Sequence, residues 1–333
     1  MERLLDKKYQ PSDNIELTLR PKYFSEYIGQ FNLKNNLNIY VSAAKKRNEV
    51  LDHILLYGPP GLGKTTLAYI IANEMNSKIR IVNGPSIERP GDLASILSSV
   101  EPGEILFIDE IHRLPKVVEE ILYSAMEDFK LVTISGILDN VSTIEIPLPP
   151  FTLIGATTKP GQLSSPLRAR FGIIEKFDLY TIEEITDIVI RTSKIFQTTI
   201  SFEGAKLIAN ASRGTPRLAN RLFKRIRDFA NFKNTNEITT DIAKEGLEAL
   251  RVDLLGLDEV DKRYIKAIID YYDGGPAGLD AIASSIGEEV SNLEEVYEPY
   301  LIQIGLIKRT AKGRVVTKKS YEHLKINMRK PKN

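Results

Sequence analysis

The sequence predicts an α/β core, followed by a small all-helical domain and a C-terminal winged helix. Between Ile54 and Ala156, short apolar runs such as IRIV, ILFI and TLIGA alternate with helix-like stretches, as buried parallel strands do. From Thr181 the apolar residues recur at helical spacing. Near the C-terminus, LIKR and RVVT flank the turn-prone segment TAKG, which indicates a β-hairpin after a set of helices.

The domain boundaries follow from these patterns. A chain of 333 residues exceeds one core of typical size, so two or three domains are expected. We expect the α/β domain over 1–180, the helical domain over 181–251 and the winged helix over 254–333. Thr181 and Glu184 fit a capping box at the start of the helical domain.

The composition is that of a globular protein, with 42% hydrophobic and 27% charged residues. No apolar run approaches the roughly 18 residues that a membrane span needs. The N-terminus has no apolar core before a small-residue cleavage site, so a cytoplasmic protein is expected. Cysteine is absent, which excludes disulfides and zinc ribbons, and any metal is expected to be held by oxygen.

The net charge of +1 conceals an uneven distribution of charge along the chain. Residues 258–298 hold eleven acidic and three basic side chains, whereas residues 308–333 hold ten lysines or arginines and one acid. A face of the last domain could therefore meet the phosphates of a nucleic acid. For the final residues, 325–332, a solvated basic tail is the favoured interpretation.

The segment GPPGLGKT fits the phosphate-loop pattern and stands between the strand-like ILLY and the helix-like TTLAYIIANEM. Gly58, Gly61 and Gly63 let backbone N–H groups close around phosphates, and the helix start adds partial positive charge. Lys64 can reach the β- and γ-phosphates, and Thr65 can supply a hydroxyl ligand to Mg²⁺. The sequence therefore predicts a nucleotide site with Mg²⁺.

Two carboxylates, Asp109 and Glu110, end the apolar run ILFI, where open α/β sheets bind ligands. Asp109 is suited to holding Mg²⁺, and Glu110 to activating the water that attacks the γ-phosphate. His112 follows closely and has two open interpretations. It either couples the nucleotide state to a partner surface or is a partly exposed histidine without that task.

Further segments, RPKYFSEYIGQ, TLIGATTKPG, SPLRARFG and GTPRLANRL, occur in the order and spacing of the AAA+ motifs. Within that superfamily, DHILLYGPPGLGKTTLA, LPPFTLIGATT, GGPAGLD, EPYLIQIG and RTAKGR resemble the RuvB family across nearly the whole chain. The resemblance implies an ATP-hydrolysing motor of Holliday junction branch migration in homologous recombination and DNA repair. It further implies a homohexameric ring on duplex DNA, with RuvA at the junction as the partner. RuvC as an additional partner is left open.

The resemblance also implies roles for individual residues around ATP. Thr158, or its neighbour Thr157, resembles the sensor 1 hydroxyl near the γ-phosphate, although a β-branched residue that only ends a strand is an equal alternative. Arg217 resembles the sensor 2 arginine. Arg170 resembles the arginine finger that acts on the neighbouring subunit's ATP, whereas Arg168 could form a structural ion pair. The residues that would border the adenine are Leu19, Arg20, Tyr27 and Ile28. Those placed around the nucleotide without a motif of their own are Thr66, Glu127, Asp128, Phe129 and Tyr180.

The segment 130–147 alternates like a β-hairpin, and in the RuvB family a hairpin here grips RuvA. Ile137 and Leu138 occupy its tip region, where exposed apolar side chains could anchor a partner domain. The alternative is a hairpin folded into the core. The tip departs from the family's glycine-rich, arginine-containing sequence, which affects the details of partner contact.

Arg309 and Arg314 flank the predicted C-terminal hairpin and resemble the family's DNA contacts. Lys312 stands where an arginine is common, so the charge is kept and the bidentate phosphate geometry is lost. The helix SNLEEVYEPYLIQIG is acidic at its start and interrupted by Pro299, which suits it poorly to reading bases. We therefore expect sequence-independent contact with the backbone of double-stranded DNA.

Two other functions compete with the motor. A clamp-loader relative is disfavoured because no cysteines exist for a zinc module and because the C-terminus reads as a winged helix. A nucleotide-switched DNA-binding module, like an initiator, is disfavoured by the 130–147 insertion and by Arg170.

Overall fold

The computed structural model describes residues 19–135 and 142–327, which divide into two units. The first unit runs to Phe196 and includes Thr215–Leu218. The second consists of Gln197–Gly214 and the residues from Ala219 onward. No helix within the described ranges is long and apolar enough to cross a membrane.

A five-stranded parallel sheet forms the centre of the first unit, as the apolar runs predict. The strands of this unit are β1 (Ile54–Tyr57), β2 (Ile79–Asn83), β3 (Ile105–Asp109), β4 (Lys130–Ser135), β5 (Ser142–Pro147), β6 (Thr152–Thr157) and β7 (Ile173–Lys176). The sheet order is β2, β3, β6, β1, β7, and all neighbouring pairs are parallel. The C-terminal ends of these strands therefore share one edge, and the N-terminal ends share the other.

The first unit also contains α-helices. They are α1 (Phe31–Arg47), α2 (Lys64–Met75), α3 (Pro90–Ser98), α4 (Lys116–Glu127), α5 (Ser165–Ala169) and α6 (Ile182–Ile195), with 3₁₀ turns at Phe24–Glu26, Gly84–Ser86, Ile111–Arg113 and Pro160–Gln162. One buried core includes Leu106, Leu122, Phe151 and Phe171, which come from the sheet, from α4 and from the segments beside them. The predicted capping box at Thr181 and Glu184 is confirmed, since each side chain accepts from the other residue's backbone N–H.

The second unit contains helices, a short strand pair and a β-hairpin. Its elements are β8 (Thr199–Ile200), α7 (Phe202–Asn210), α8 (Pro216–Phe232, whose first residues belong to the first unit), β9 (Glu237–Ile238), α9 (Thr240–Ala249), α10 (Glu259–Tyr271), α11 (Leu279–Ile286), α12 (Val290–Asn292), α13 (Glu298–Gln303), β10 (Ile307–Thr310), β11 (Gly313–Val316) and α14 (Lys318–Leu324). Strands β10 and β11 are antiparallel, which confirms the predicted hairpin. A buried cluster that includes Tyr264, Ile268, Leu301 and Ile307 joins the last helices to this hairpin.

The break expected at Pro299 takes a different form in the structure. The segment Leu293–Tyr297 is a π-helical turn, after which the Glu298 N–H donates to the Leu293 carbonyl, and Pro299, which has no N–H, follows in the first turn of α13. The chain therefore continues from α12 to α13 without a loop.

Candidate nucleotide site and winged-helix surface

The phosphate loop joins the C-terminal end of β1 to the start of α2. Gly58, Gly61 and Gly63 have φ of 145°, 79° and 100°, a region that residues with a Cβ rarely adopt. At Gly58 a Cβ would also lie 2.7 Å from the Phe177 carbonyl oxygen. Glycine is therefore required here by backbone conformation and, at Gly58, by space.

Lys64 is the buried cation of this loop. Its side chain is folded back so that Nζ donates to the carbonyl oxygens of Gly58, at 2.8 Å, and Pro59, at 2.9 Å. Only 8% of the residue is exposed. This burial lowers the pKa of Lys64 to about 8, although Asp109 and Glu110 act in the opposite direction. An anion that replaces the two carbonyl contacts would stabilise the charged form.

The two predicted carboxylates lie at the end of β3, on the same sheet edge as the phosphate loop. Glu110 has φ 49° and ψ 42°, which is uncommon for a residue other than glycine, and its N–H donates to Asp109 Oδ1 at 2.9 Å. Its carboxylate accepts from Arg113 at 3.3 Å. The left-handed backbone turns the Glu110 side chain away from the direction that strand geometry alone would give it. Such local strain commonly occurs at functional sites.

The end of β6 brings a hydroxyl next to these carboxylates. Thr157 is buried, and its Oγ1 lies 2.9 Å from His112 Nδ1 and accepts from the Lys159 N–H at 2.9 Å. Thr158 is partly exposed. Of the two sensor candidates, Thr157 is thus engaged with protein groups and Thr158 has more access to a ligand. His112 joins the segment after β3 to the sensor strand, a contact that its sequence position did not predict.

Two tyrosines of the predicted nucleotide surroundings meet at the phosphate loop. Tyr27 Oη and Tyr180 Oη are 2.8 Å apart, and Tyr180 also donates to the Leu62 carbonyl at 3.2 Å. Burial raises the pKa of both hydroxyls, so they remain protonated donors. Tyr180 therefore ties the segment before α6 to the loop.

The N-terminal residues of the described chain are held close by. Leu19 is buried, and its carbonyl accepts from Arg191 at 2.7 Å, while the Arg20 guanidinium lies 5.2 Å from the centre of the Tyr69 ring. Ile28 is partly buried. Arg191 was not a predicted site residue, because nothing in the sequence distinguishes it from a solvated helix arginine.

Arg217 contacts the phosphate loop through its backbone. Its N–H donates to the Gly61 carbonyl at 3.3 Å, and its side chain is exposed. Thr66, in the first turn of α2, is partly exposed. Both residues thus lie close to the phosphate loop, as the sequence predicts.

Arg170 lies at the other edge of the sheet. It precedes β7, whose first residue, Ile173, pairs with Ile54 at the start of β1, whereas Gly58 follows the end of β1. Four strand residues span about 13 Å, so the length of β1 separates Arg170 from the phosphate loop of its own chain. Arg170 cannot serve that loop without rearrangement of the sheet.

Glu127, Asp128 and Phe129 lie at the same edge as Arg170. His53 Nδ1 accepts from the Leu153 N–H, which leaves its Nε2–H to donate to the Met126 carbonyl at 3.1 Å. This bond fixes the end of α4 beside the start of β1. The structure therefore does not bring these three residues to the phosphate loop of their own chain. This differs from the expectation that they surround the nucleotide bound by that loop.

The two acidic residues and the aromatic residue differ in their surroundings. Glu127 is exposed and pairs with Arg170 at 3.0 Å, and Asp128 is exposed next to it. Phe129 packs its ring against those of His53 and Phe151, at centroid distances of 6.2 and 5.9 Å. Phe129 is therefore part of the packing under this edge.

The predicted hairpin over 130–147 is present as β4 and β5, paired antiparallel from Lys130 with Pro147 to Ser135 with Ser142. Val132, Ile144 and Ile146 are exposed on its strands. This exposure is contrary to the alternative of a hairpin folded into the core. The tip residues Ile137 and Leu138 lie outside the described residues.

The C-terminal hairpin presents its basic residues unequally. Lys312 lies in the turn and is exposed. Arg309 and Arg314 are opposite each other across the strands, so their side chains share a face. Arg309 pairs with Glu294 at 3.2 Å and remains 58% exposed.

Arg314 is largely buried, with an 11% exposed side chain, and its guanidinium contacts the buried Glu298 at 3.0 Å. The Tyr264 hydroxyl also donates to Glu298, at 3.4 Å. This ion pair raises the pKa of Arg314 against the effect of burial. A direct phosphate contact by Arg314 would leave Glu298 as an uncompensated buried charge. The sequence-based assignment of Arg314 as a DNA contact is thus not favoured by its position.

Three family models match consecutive parts of the chain. The Holliday junction DNA helicase RuvB P-loop domain matches residues 19–177, the RuvB AAA lid domain residues 180–253, and the RuvB C-terminal winged helix domain residues 254–325.

Curated relatives and solved structures agree with these matches. The chain is 57% identical over 319 residues to the Holliday junction branch migration complex subunit RuvB of Lactiplantibacillus plantarum, covering 96% of this chain and 95% of the relative. It is 54% identical over 324 residues to the subunit of that name from Limosilactobacillus reuteri, covering 97% and 96%. The structure of the Thermotoga maritima RuvB Holliday junction branch migration motor is similar, with a TM-score of 0.84, 51% identity, and coverage of 94% of this chain and 100% of that one. With matches that span the phosphate-loop domain, the lid and the winged helix, this chain belongs to the RuvB family.

Proposed function

We propose that this chain is an ATP-driven motor of Holliday junction branch migration, acting as a hexameric ring that pulls duplex DNA through a junction bound by RuvA. The observation that carries the proposal is the separation of Arg170 from its own phosphate loop by the length of β1. Such a chain carries an ATP site and an arginine finger that cannot meet within one molecule. The names of the relatives, subunits of the Holliday junction branch migration complex, support the choice of substrate.

ATP hydrolysis would use the groups at the C-terminal edge of the sheet. Lys64 is the cation for the β- and γ-phosphates, and Glu110 is the base that orients and activates water after its carboxylate leaves Arg113. Thr158 assists as sensor 1, and Arg217 senses the γ-phosphate from the start of α8. Tyr27, together with Leu19, Arg20, Ile28, Thr66 and Tyr180, encloses the nucleotide.

Mg²⁺ fits the donors present near the phosphate loop. Thr65 and Asp109 offer oxygen ligands, and in the described ranges no group of three or more His, Cys, Asp or Glu side chains could hold a metal by itself. Mg²⁺ typically takes one or two protein ligands and completes its shell with water and phosphate oxygens. When bound, it would neutralise charge on the phosphates.

Arg170 would complete the ATP site of the next subunit in the ring. Glu127 and Asp128 lie beside it and would approach the same neighbouring nucleotide, which reconciles their family role with their position at the far edge. An arginine supplied in trans stabilises transition-state charge and typically raises turnover by about 10³ to 10⁵-fold. Hydrolysis would therefore depend on ring assembly.

The winged helix would bind DNA through its backbone and without base readout. The exposed Lys312 and the half-exposed Arg309 are the groups best suited to phosphates. Helix α13 and the π-turn before it place acids, among them Glu294 and Glu298, beside the hairpin. Such a surface has little capacity for major-groove reading, as expected of a motor that must travel on any sequence.

The hairpin over 130–147 would be the docking element for RuvA. The exposed Val132, Ile144 and Ile146 supply apolar surface on its strands, and Ile137 and Leu138 are the further apolar residues proposed for this contact from the sequence. We further propose the functional division 1–180, 181–251 and 254–333, a cytoplasmic location, and RuvC as an additional partner at the junction.

The decisive experiment is ATP-dependent dissociation of a labelled synthetic four-way junction by this protein with its cognate RuvA. Lys64→Ala serves as the control, and its loss of activity would support the motor. If ATP is hydrolysed but the junction stays intact with RuvA demonstrably bound, the motor is refuted and a nucleotide-switched DNA-binding module becomes the better description.

A further inference from the structure

Three contacts hold the Arg170 guanidinium within its own chain. One terminal nitrogen donates to the Pro166 carbonyl at 2.8 Å, and the other pairs with Glu127 at 3.0 Å. The third contact is the ring of Tyr123, whose centre lies 4.4 Å from the guanidinium carbon. The arginine side chain is only 20% exposed as a result.

The Tyr123 ring lies over a guanidinium group that hydrogen bonds satisfy only in part. Arg170 Nε is buried and has no hydrogen-bond partner among the described residues. A cation above an aromatic face is stabilised by the ring's electron density, most strongly when water is excluded. The ring thus stabilises the charge of a guanidinium group that is largely withdrawn from water.

Tyr123 also fixes the short helix that carries Arg170. Its hydroxyl lies 3.1 Å from Ser164 Oγ, and Ser164 caps α5 by accepting from the Leu167 N–H at 3.3 Å. Arg170 follows the other end of that helix. One side chain on α4 therefore touches both the N-cap of α5 and the guanidinium beyond its C-terminus.

The contacts of Glu127 and Tyr123 with Arg170 respond differently when a phosphate group binds Arg170. Glu127 is 56% exposed and charged, so a phosphate group competes directly with it for Arg170. The tyrosine ring is neutral and contacts the face of the guanidinium, which leaves the N–H edge available for phosphate oxygens. The ring contact can therefore persist while the ion pair is exchanged.

We propose that Tyr123 is a positioning residue for Arg170, which sets the direction of the arginine finger toward the ATP of the neighbouring subunit. The inference rests on the trans role of Arg170 given above. Without the ring, the finger retains its charge and loses its orientation, and misplacement by about 1 Å costs on the order of 10²-fold in rate.

The test compares Tyr123→Leu, which removes the ring, with Tyr123→Phe, which keeps the ring and loses the hydroxyl. ATP turnover of the full-length variants is measured on linear duplex DNA, with thermal unfolding as a check of folding. We expect kcat of Tyr123→Leu to fall at least about tenfold with an unchanged KM for ATP, and Tyr123→Phe to stay within about threefold of the unaltered protein.

Mixed rings separate positioning from a general structural defect. Lys64→Ala subunits cannot turn over ATP but carry an intact finger, so mixing them with Tyr123→Leu subunits should restore turnover to the level reached by mixing them with Arg170→Ala subunits. If Tyr123→Leu alone turns over normally, or if Lys64→Ala restores Arg170→Ala but not Tyr123→Leu, the positioning role is refuted and the trans finger stands. If Lys64→Ala restores neither, the trans finger is wrong and the role of Tyr123 falls with it.

Discussion

The protonation of Lys64 predicts how ATP affinity depends on pH. Burial lowers the pKa of Lys64 to about 8, and ATP is expected to bind the charged form. Each pH unit beyond the pKa changes the ratio of the two forms tenfold, so the charged fraction falls from about three quarters at pH 7.5 to about one tenth at pH 9. The affinity for ATP should therefore fall roughly eightfold over this range.

Equilibrium binding of a fluorescent ATP analogue, measured without Mg²⁺ at pH 7.5, 8 and 9, checks this prediction. Lys64→Arg is the matched control, because a guanidinium keeps its charge throughout the range and reports any change in the nucleotide itself. The pH dependence of ATP affinity that is due to Lys64 is the difference between the slope for the unaltered protein and the slope for Lys64→Arg. Identical slopes for the two proteins would show that the Lys64 amine stays charged at pH 9 and would refute the lowered pKa.

Three further perturbations test other parts of the molecule. Arg309→Ala should reduce the slope of log DNA affinity against log salt concentration by about one. Arg314→Ala should leave this slope unchanged and lower the melting temperature. Equal changes of slope in the two variants would show that Arg314 also contacts a phosphate. Glu110→Gln should keep nucleotide binding and lose at least about 10²-fold in turnover on duplex DNA, and turnover near that of the unaltered protein would remove its role as base. Arg213→Met should destabilise the second unit by about 3 kcal/mol at pH 8 in urea unfolding, because it removes the partner of the buried Asp261. Burial raises the pKa of Asp261 to about 7, so at pH 5.5 the carboxyl is protonated and the loss should be smaller; an equal loss at both pH values would contradict this assignment.

The elements that the sequence predicted well are those set by local patterns. Buried parallel strands need continuous apolar runs, so β1, β3 and β6 stand out, and the carboxylates after β3 fall at the same edge as the phosphate loop. The capping box at Thr181 is likewise decided by residues three apart. In each case the determining interactions lie within a few residues.

The features that the sequence did not predict depend on contacts between distant segments. Glu298 neutralises Arg314 only because the helix before the hairpin packs under it, and neither residue alone distinguishes this pair from two solvated charges. Glu127 emerges at the same edge as the start of β1, where the residue before it, Met126, is bonded to His53, 73 residues away in sequence. Tyr123 resembles an ordinary core aromatic until α5 is packed beside it.

Under the proposed trans role of Arg170, no single protomer holds a complete reaction centre, because the length of β1 separates this arginine from its own phosphate loop. Diluted protomers would be catalytically silent even when fully loaded with nucleotide, and turnover would rise more steeply than in proportion to protein concentration until rings saturate. A substitution of Arg170 in one subunit would leave the ATP site of that subunit intact and inactivate the ATP site of the neighbouring subunit. The position of a defective subunit in the ring therefore determines which ATP site loses activity.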